Sequence, residues 1–482
     1  MFTFACFVIA FVTMTLLYDW YKRPQNFPPG PRGFPLLGKI LSVGKYPERR
    51  FAKWSKIYGA IMSVRLGRQD WIILNDLKSI KQAFVVKRGV FSGRPKMPFF
   101  DQIREKEGIL LADYGGLWRK QRKFALTTIM ACSDGRQNLE ETILVEASHL
   151  VEVMRLANGK PFPITVYMRK ATANVICSVL LGKRFDYDDV KHQQLLERIF
   201  QYFTDPVKSS LVRLSMFAPG LLKVFPFNFF NHGILQDLEY VMENVRGMIN
   251  NSETDFNEKY PRGYIDSFLM NLKENQNHFS FDQLARSIFD LIIAGTETSS
   301  TCLLWSFLCL LHYPQAQRKL RKEIEDVIGL SRTVKMSHNA KMPYANAFIQ
   351  EILRYRTVEP LGVPHKTTDD VTLNGHFIPK NTNILSNIWA VHNDSDVWDE
   401  PEKFKPERFL DENGDFIQSK DIIPFSIGPR YCLGRNLPGW RFSSSSSPLC
   451  RNLKSYLRLM MEYYLILRMA PMDWRLHQRP IA

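Results

Sequence analysis

The chain has 482 residues, with 64 Lys and Arg against 48 Asp and Glu, a formal excess of +16. With 45% hydrophobic and 23% charged residues and no Gly/Ser linker or internal repeat, it can bury a large core as one catalytic-size domain. The basic excess suits nucleic acid, anionic lipid or an acidic protein partner, and the absence of a zinc finger, helix-turn-helix signature or basic tail argues for no nucleic acid. The seven cysteines, at 6, 132, 177, 302, 309, 432 and 450, are scattered, odd in number and without a C-x-x-C pair, which fits reduced thiols facing the cytosol better than a disulfide framework.

Residues 1–17 are apolar apart from three threonines, at the short limit of roughly 17 to 25 residues for a membrane span. No basic residue precedes the run and no small-x-small cleavage site follows it, so a signal anchor is expected over 1–18, with Trp20 and Tyr21 at the interface and Lys22 and Arg23 on the cytosolic side. Phe27-Pro28-Pro29-Gly30-Pro31-Arg32-Gly33-Phe34-Pro35 cannot be helical and predicts a stiff extended strap; 19–38 forms an interfacial segment that orients the domain to the bilayer. Short β-like pieces follow at 60–66, 71–74 and, much later, 371–378, while most of 45–360 carries helical periodicity.

Trp118 and Arg122 are four apart on one helical face, and Arg119, Lys120 and Lys123 add basic charge; a plain surface helix accounts for them equally well. The aromatic run Phe225-Pro226-Phe227-Asn228-Phe229-Phe230 is either core or exposed. Ser280 and Gln283 have capping-box spacing, and the pattern from there to His312 predicts a helix of roughly 32 residues, about 48 Å long. In its middle, Ala294-Gly295-Thr296-Glu297-Thr298-Ser299 combines a weak helix former with hydroxyls that compete for backbone carbonyls, so this turn is expected to open. Glu351 and Arg354, three apart on a helix over 344–356, can pair, and Pro406-Glu407-Arg408-Phe409 follows.

The most informative segment is Phe425-Ser426-Ile427-Gly428-Pro429-Arg430-Tyr431-Cys432-Leu433-Gly434. One cysteine in a glycine-bracketed loop is what a haem iron needs from a thiolate-ligating protein: Gly428 and Gly434 let the backbone approach a flat macrocycle, and Arg430 suits a propionate. The alternative is a buried cysteine behaving as a small core hydrophobe.

The spacing F-x-x-G-x-R-x-C-x-G, the hexapeptide 294–299 matching [A/G]-G-x-[D/E]-T-[T/S], Glu351-x-x-Arg354 and Pro406–Phe409 together resemble the cytochrome P-450 superfamily, and its microsomal family 2 subgroup in particular. The resemblance runs from the anchor to about Leu437. It implies a mainly α fold with minor β, in which a long central helix lies over haem b. The implied activity is a haem-dependent monooxygenase that inserts one oxygen atom from O2 into a lipophilic substrate. Electrons come from NADPH through NADPH-cytochrome reductase, with cytochrome b5 as a further partner, at the endoplasmic reticulum membrane.

By the same resemblance Cys432 is the axial ligand, and Trp118, Arg122, His365 and Arg430 hold propionates. Thr298 hydrogen-bonds dioxygen, Glu297 relays protons, and Glu351, Arg354 and Arg408 form the charge network that sets the cysteine loop. Residues 39–437 form the catalytic domain, and Arg119, Lys120 and Lys123 an acidic-partner patch. Substrate contacts are expected near 97–111 and 200–230, with 225–230 dipping into the membrane.

After 437 the pattern departs. Pro438-Gly439-Trp440-Arg441-Phe442, five serines at 443–447 and Pro448 replace the apolar helix that the family places against the haem, which suggests a changed reading frame or a divergent splice end over 438–482. Two rival readings follow. One is a haem-thiolate isomerase or dehydratase needing no reductase; the other is a defunct haem-binding membrane protein.

Overall fold

A computed structural model describes residues 22–35, 37–95, 108–134, 139–158, 160–205, 227–274, 279–329 and 335–436, with positions 14, 208, 210 and 332 besides. The anchor, residues 97–107 and 225–226, and 437–482 are outside the described residues, so the expectations placed there are not addressed by it. The described chain is mainly helical with two small sheets, as the periodicity predicts.

Helix α1 (Pro47–Tyr58) leads into strands β1 (Ile61–Leu66) and β2 (Gln69–Leu74), an antiparallel pair. The proline strap lies along β1: Ser63 donates its hydroxyl to the Pro28 carbonyl at 2.7 Å and its N–H to that of Pro29 at 2.8 Å. Beyond a short turn of helix, α2 (Gly116–Asp134), α3 (Leu139–Ala157), α4 (Ile164–Leu181), α5 (Val190–Thr204), α6 (Phe227–Thr254) and α7 (Tyr264–Glu274) build the helical layer.

The long helix is α8 (Phe281–His312), 32 residues, and its Ser280–Gln283 capping box forms with both reciprocal bonds. Its middle does not open. The helix stays α through 294–299 although Thr298 Oγ1 donates to the Ala294 carbonyl at 2.6 Å. The reason is packing. A Cβ on Gly295 would lie 2.5 Å from Ile176 Cδ1, so the glycine lets α4 come close, and Thr172 Oγ1 reaches across to the Thr296 carbonyl at 3.3 Å. Both α4 and α8 are long and apolar enough to cross a membrane, and here they pack on each other in the main core.

After α9 (Pro314–Val327) and α10 (Pro343–Tyr355) come β3 (His365–Lys366), β4 (Val371–Leu373), β5 (His376–Ile378), β6 (Asn383–Ser386) and α11 (Ile388–His392). The β-like piece 371–378 is a hairpin, because Asn374 and Gly375 both take positive φ (48° and 84°), the two-residue turn whose twist matches the strands. The larger sheet has the order β1-β2-β6-β3, and β6 pairs parallel with β2, Trp71 opposite Asn383.

Candidate active site

Two apolar cores hold the cysteine loop between them. Phe425 and Leu433 pack on the main helical core, while Ile427 packs on the cluster built around Ile72, Phe84 and Ile384. Gly428 has φ 80°, and a Cβ there would sit 2.0 Å from the Phe84 carbonyl, so its task is to let the loop pass that backbone. Gly434 faces Cys432 Sγ at an ordinary 3.6 Å from its missing Cβ. The Cys432 N–H donates to the Phe425 carbonyl at 2.9 Å, and Arg122 donates to the Tyr431 carbonyl. Cys432 itself is exposed.

Cations gather beside this loop. Arg430 stacks over the Trp118 ring at 4.0 Å and donates to Ser92 (3.0 Å) and Ala112 (2.6 Å) carbonyls, yet its Nη1 is buried with no hydrogen-bond partner. Burial, then the neighbouring Arg122, pushes Arg430 down to about 9. Arg94, which the sequence reading missed, is buried and bonds the Leu110, Val363 and Pro364 carbonyls; burial first and then Arg430 and Arg122 hold it well below its ordinary value. His365 stacks on Phe84 at 4.0 Å with Nδ1 2.7 Å from the Phe91 carbonyl, and burial beside Arg94 depresses it well below the usual imidazole range. The Trp118 indole N–H is donated to Ile109 at 2.9 Å, so its ring face, not its N–H, serves Arg430.

Two of the carbonyls that hold these arginines, those of Leu110 and Ala112, belong to the segment 109–112, which α8 anchors. Asp290 accepts the N–H groups of Ile109 (2.8 Å) and Leu110 (2.9 Å) while lying 3.4 Å from Arg286. Burial raises the Asp290 carboxyl, with Arg286 and the two backbone bonds opposing. Two turns further along α8, Glu297 pairs with Arg169 of α4 at 3.3 Å.

Glu351, Arg354 and Arg408 are brought together. Arg354 grips Glu351 with two 2.7 Å bonds, both side chains wholly buried, and donates to His392, Pro401 and Lys403 carbonyls. Glu351 also accepts the Lys405 N–H at 2.9 Å and Arg408 Nε at 3.3 Å. His392, a lone histidine that no spacing rule picks out, continues the chain. Its Nε2 accepts the Ile423 N–H at 2.9 Å, two residues before the cysteine loop, and its Nδ1 meets Thr357 Oγ1 at 2.7 Å. Burial, then Arg354, pushes His392 down to about 3.

Buried guanidiniums that repel one another and leave a donor unpartnered fit a dianionic group set against an accessible thiol, which is how a protein holds haem through a thiolate. The chain belongs to the cytochrome P450 family, whose model matches residues 28–440. It is similar to cytochrome P450 2B2 of Rattus norvegicus (35% identical over 86% of this chain and 85% of the relative) and to cytochrome P450 2J2 of Homo sapiens (35%, 88% and 85%). Cytochrome P450 2U1 of Homo sapiens is 33% identical over 87% of this chain and 82% of its own. The family membership makes this chain a haem-dependent monooxygenase.

Proposed function

We propose that this chain is a microsomal monooxygenase that inserts one atom of O2 into a lipophilic organic substrate, with NADPH electrons delivered by NADPH-cytochrome reductase and assisted by cytochrome b5. The observation that carries the reading is the buried cationic cluster at Arg94, Arg122 and Arg430, with its unpartnered Nη1, next to Cys432. Haem b, when bound, supplies the iron at which dioxygen is activated.

Cys432 contributes the thiolate ligand, while Arg430, Arg122, Arg94 and His365 hold the two carboxylates and Trp118 backs Arg430. Thr298 keeps its hydroxyl proton on the Ala294 carbonyl at rest and delivers it by turning away from that carbonyl. Glu297, held by Arg169, restores protons to the same turn. Exposed Arg119, Lys120 and Lys123 on α2 offer the acidic flavoprotein its docking face. The anchor over 1–18 places the catalytic domain on the cytosolic side of the endoplasmic reticulum.

The test is the carbon monoxide difference spectrum of the reduced full-length protein. A Soret band at the thiolate position is expected and is lost in Cys432→Ala; no band in the wild type sinks the reading. NADPH-dependent oxygen consumption with reductase then separates a monooxygenase from a peroxide-rearranging enzyme.

A further inference from the structure

His392 does more than extend the charge network, because three chain segments close a ring of hydrogen bonds through it. The Ile423 N–H can only donate, so His392 Nε2, 2.9 Å away, is the acceptor and the neutral imidazole carries its proton on Nδ1. Nδ1 therefore donates to Thr357 Oγ1 at 2.7 Å, and the Thr357 hydroxyl donates to the Arg354 carbonyl at 3.1 Å. The ring closes at Arg354, whose Nη1 donates to the His392 carbonyl at 2.8 Å. Both ring nitrogens of this buried side chain are thus used, and Trp398 Nε1 holds the preceding peptide through the Val391 carbonyl at 3.0 Å.

The Ile423 end of that ring leads into the cysteine loop. Ile423 and Val391 pack in the same apolar cluster, and the Ile423 carbonyl accepts the Ser426 N–H at 3.0 Å, which closes a tight turn. Ser426 takes φ 58°, a left-handed conformation that a serine adopts at a cost and keeps only where its surroundings fix it. Inside this turn lies Phe425, whose carbonyl accepts the Cys432 N–H at 2.9 Å. The direction of that carbonyl, and with it the backbone of Cys432, is set by a turn whose first residue His392 holds.

We propose that His392 is a positioning residue for the thiolate: it ties the Glu351–Arg354 ion pair to the turn 423–426 and so keeps Cys432 in the ligating geometry. Among the described residues the side-chain hydrogen bonds of the pair end at 392, 401, 403, 405 and 408, and His392 carries the connection on to Ile423. Losing the acceptor leaves the Ile423 N–H buried and unpaired, a cost that the turn relieves by opening.

This inference deepens the haem-thiolate reading and rests on it. The experiment follows the Soret band of the reduced, carbon monoxide-bound full-length protein in urea below the global unfolding transition, which far-UV circular dichroism locates. In His392→Leu the band should leave the thiolate position about tenfold faster than in the wild type, the effect of one buried donor left unpaired. His392→Gln restores a side-chain acceptor at similar bulk and should return most of that difference. Ile324→Ala, a cavity in the helical core on α9, lowers the unfolding midpoint but should leave the rate unchanged at equal distance from that midpoint. Residue-resolved amide exchange of the wild type tests the link without any substitution: the Ile423 and Cys432 amides should open together. The proposal is overturned by a band as persistent in His392→Leu as in the wild type, by equal rates in the Leu and Gln variants, or by the same acceleration in Ile324→Ala. A Cys432 amide that opens while Ile423 stays protected overturns it too. Failure of the haem reading shows separately, as a missing thiolate Soret band in the wild type.

Discussion

Arg354 and Glu351 have no exposed side-chain area, and every donor of the guanidinium is directed at a carboxylate oxygen or a loop carbonyl. Removing the arginine leaves a buried carboxylate whose remaining partners are the Lys405 N–H and Arg408. Arg354→Ala should therefore cost about 3 to 5 kcal/mol in urea unfolding, and Arg354→Lys should recover little of it because a point charge cannot make the two-pronged contact.

His392 makes a pH-dependent contribution. Its folded pKa is depressed to about 3 against an ordinary 6.5, so the neutral imidazole stabilises the fold above about 6.5, and that stability drains away as the pH falls toward about 3. His192, pushed down to about 4 by burial, acts in the same direction. Urea midpoints measured between about pH 7 and 5 should fall in the wild type and fall less steeply in His392→Asn. The pair at 351 and 354 was legible because three-residue spacing places both on one helix face. His392, Arg94 and Asp290 were not, since each is a single residue whose partners lie on other elements.

At the scale of elements, α8 shows where local propensity and packing disagree. Glycine and threonine at 294–299 favour an open turn, but the close approach of α4 holds the helix continuous. Gly295→Ala gains about 0.5 to 1 kcal/mol of helix propensity and loses about 1 to 3 kcal/mol to overpacking against Ile176. A net loss is expected in thermal unfolding. The double variant Gly295→Ala with Ile176→Val should recover most of it, a coupling that a purely local effect of the glycine would not produce. The hairpin at 371–378 was read as one β piece, and the Asn374-Gly375 turn divides it. That signal was present in the dipeptide itself.

For the molecule as a whole, the formal charge of +16 acts through long-range fields rather than contacts. If Arg119, Lys120 and Lys123 receive an acidic donor, the rate of NADPH-driven haem reduction by the reductase should fall steadily as salt rises above roughly 0.1 M, and the triple substitution to Glu should slow it at low salt. A rate indifferent to both would place the docking face elsewhere.

The periodicity and capping of α8, the Glu351–Arg354 spacing and the cysteine loop could be read from the chain because each is local: its residues lie within about ten positions of one another, and steric and helical geometry alone relates them. The pairing of β2 with β6 across some 300 residues could not, nor could the convergence of Arg94, Arg122, His365 and Arg430. Those depend on which buried faces meet when the cores close, and a charge shows its desolvation and its neighbours only after that closure has taken its water away.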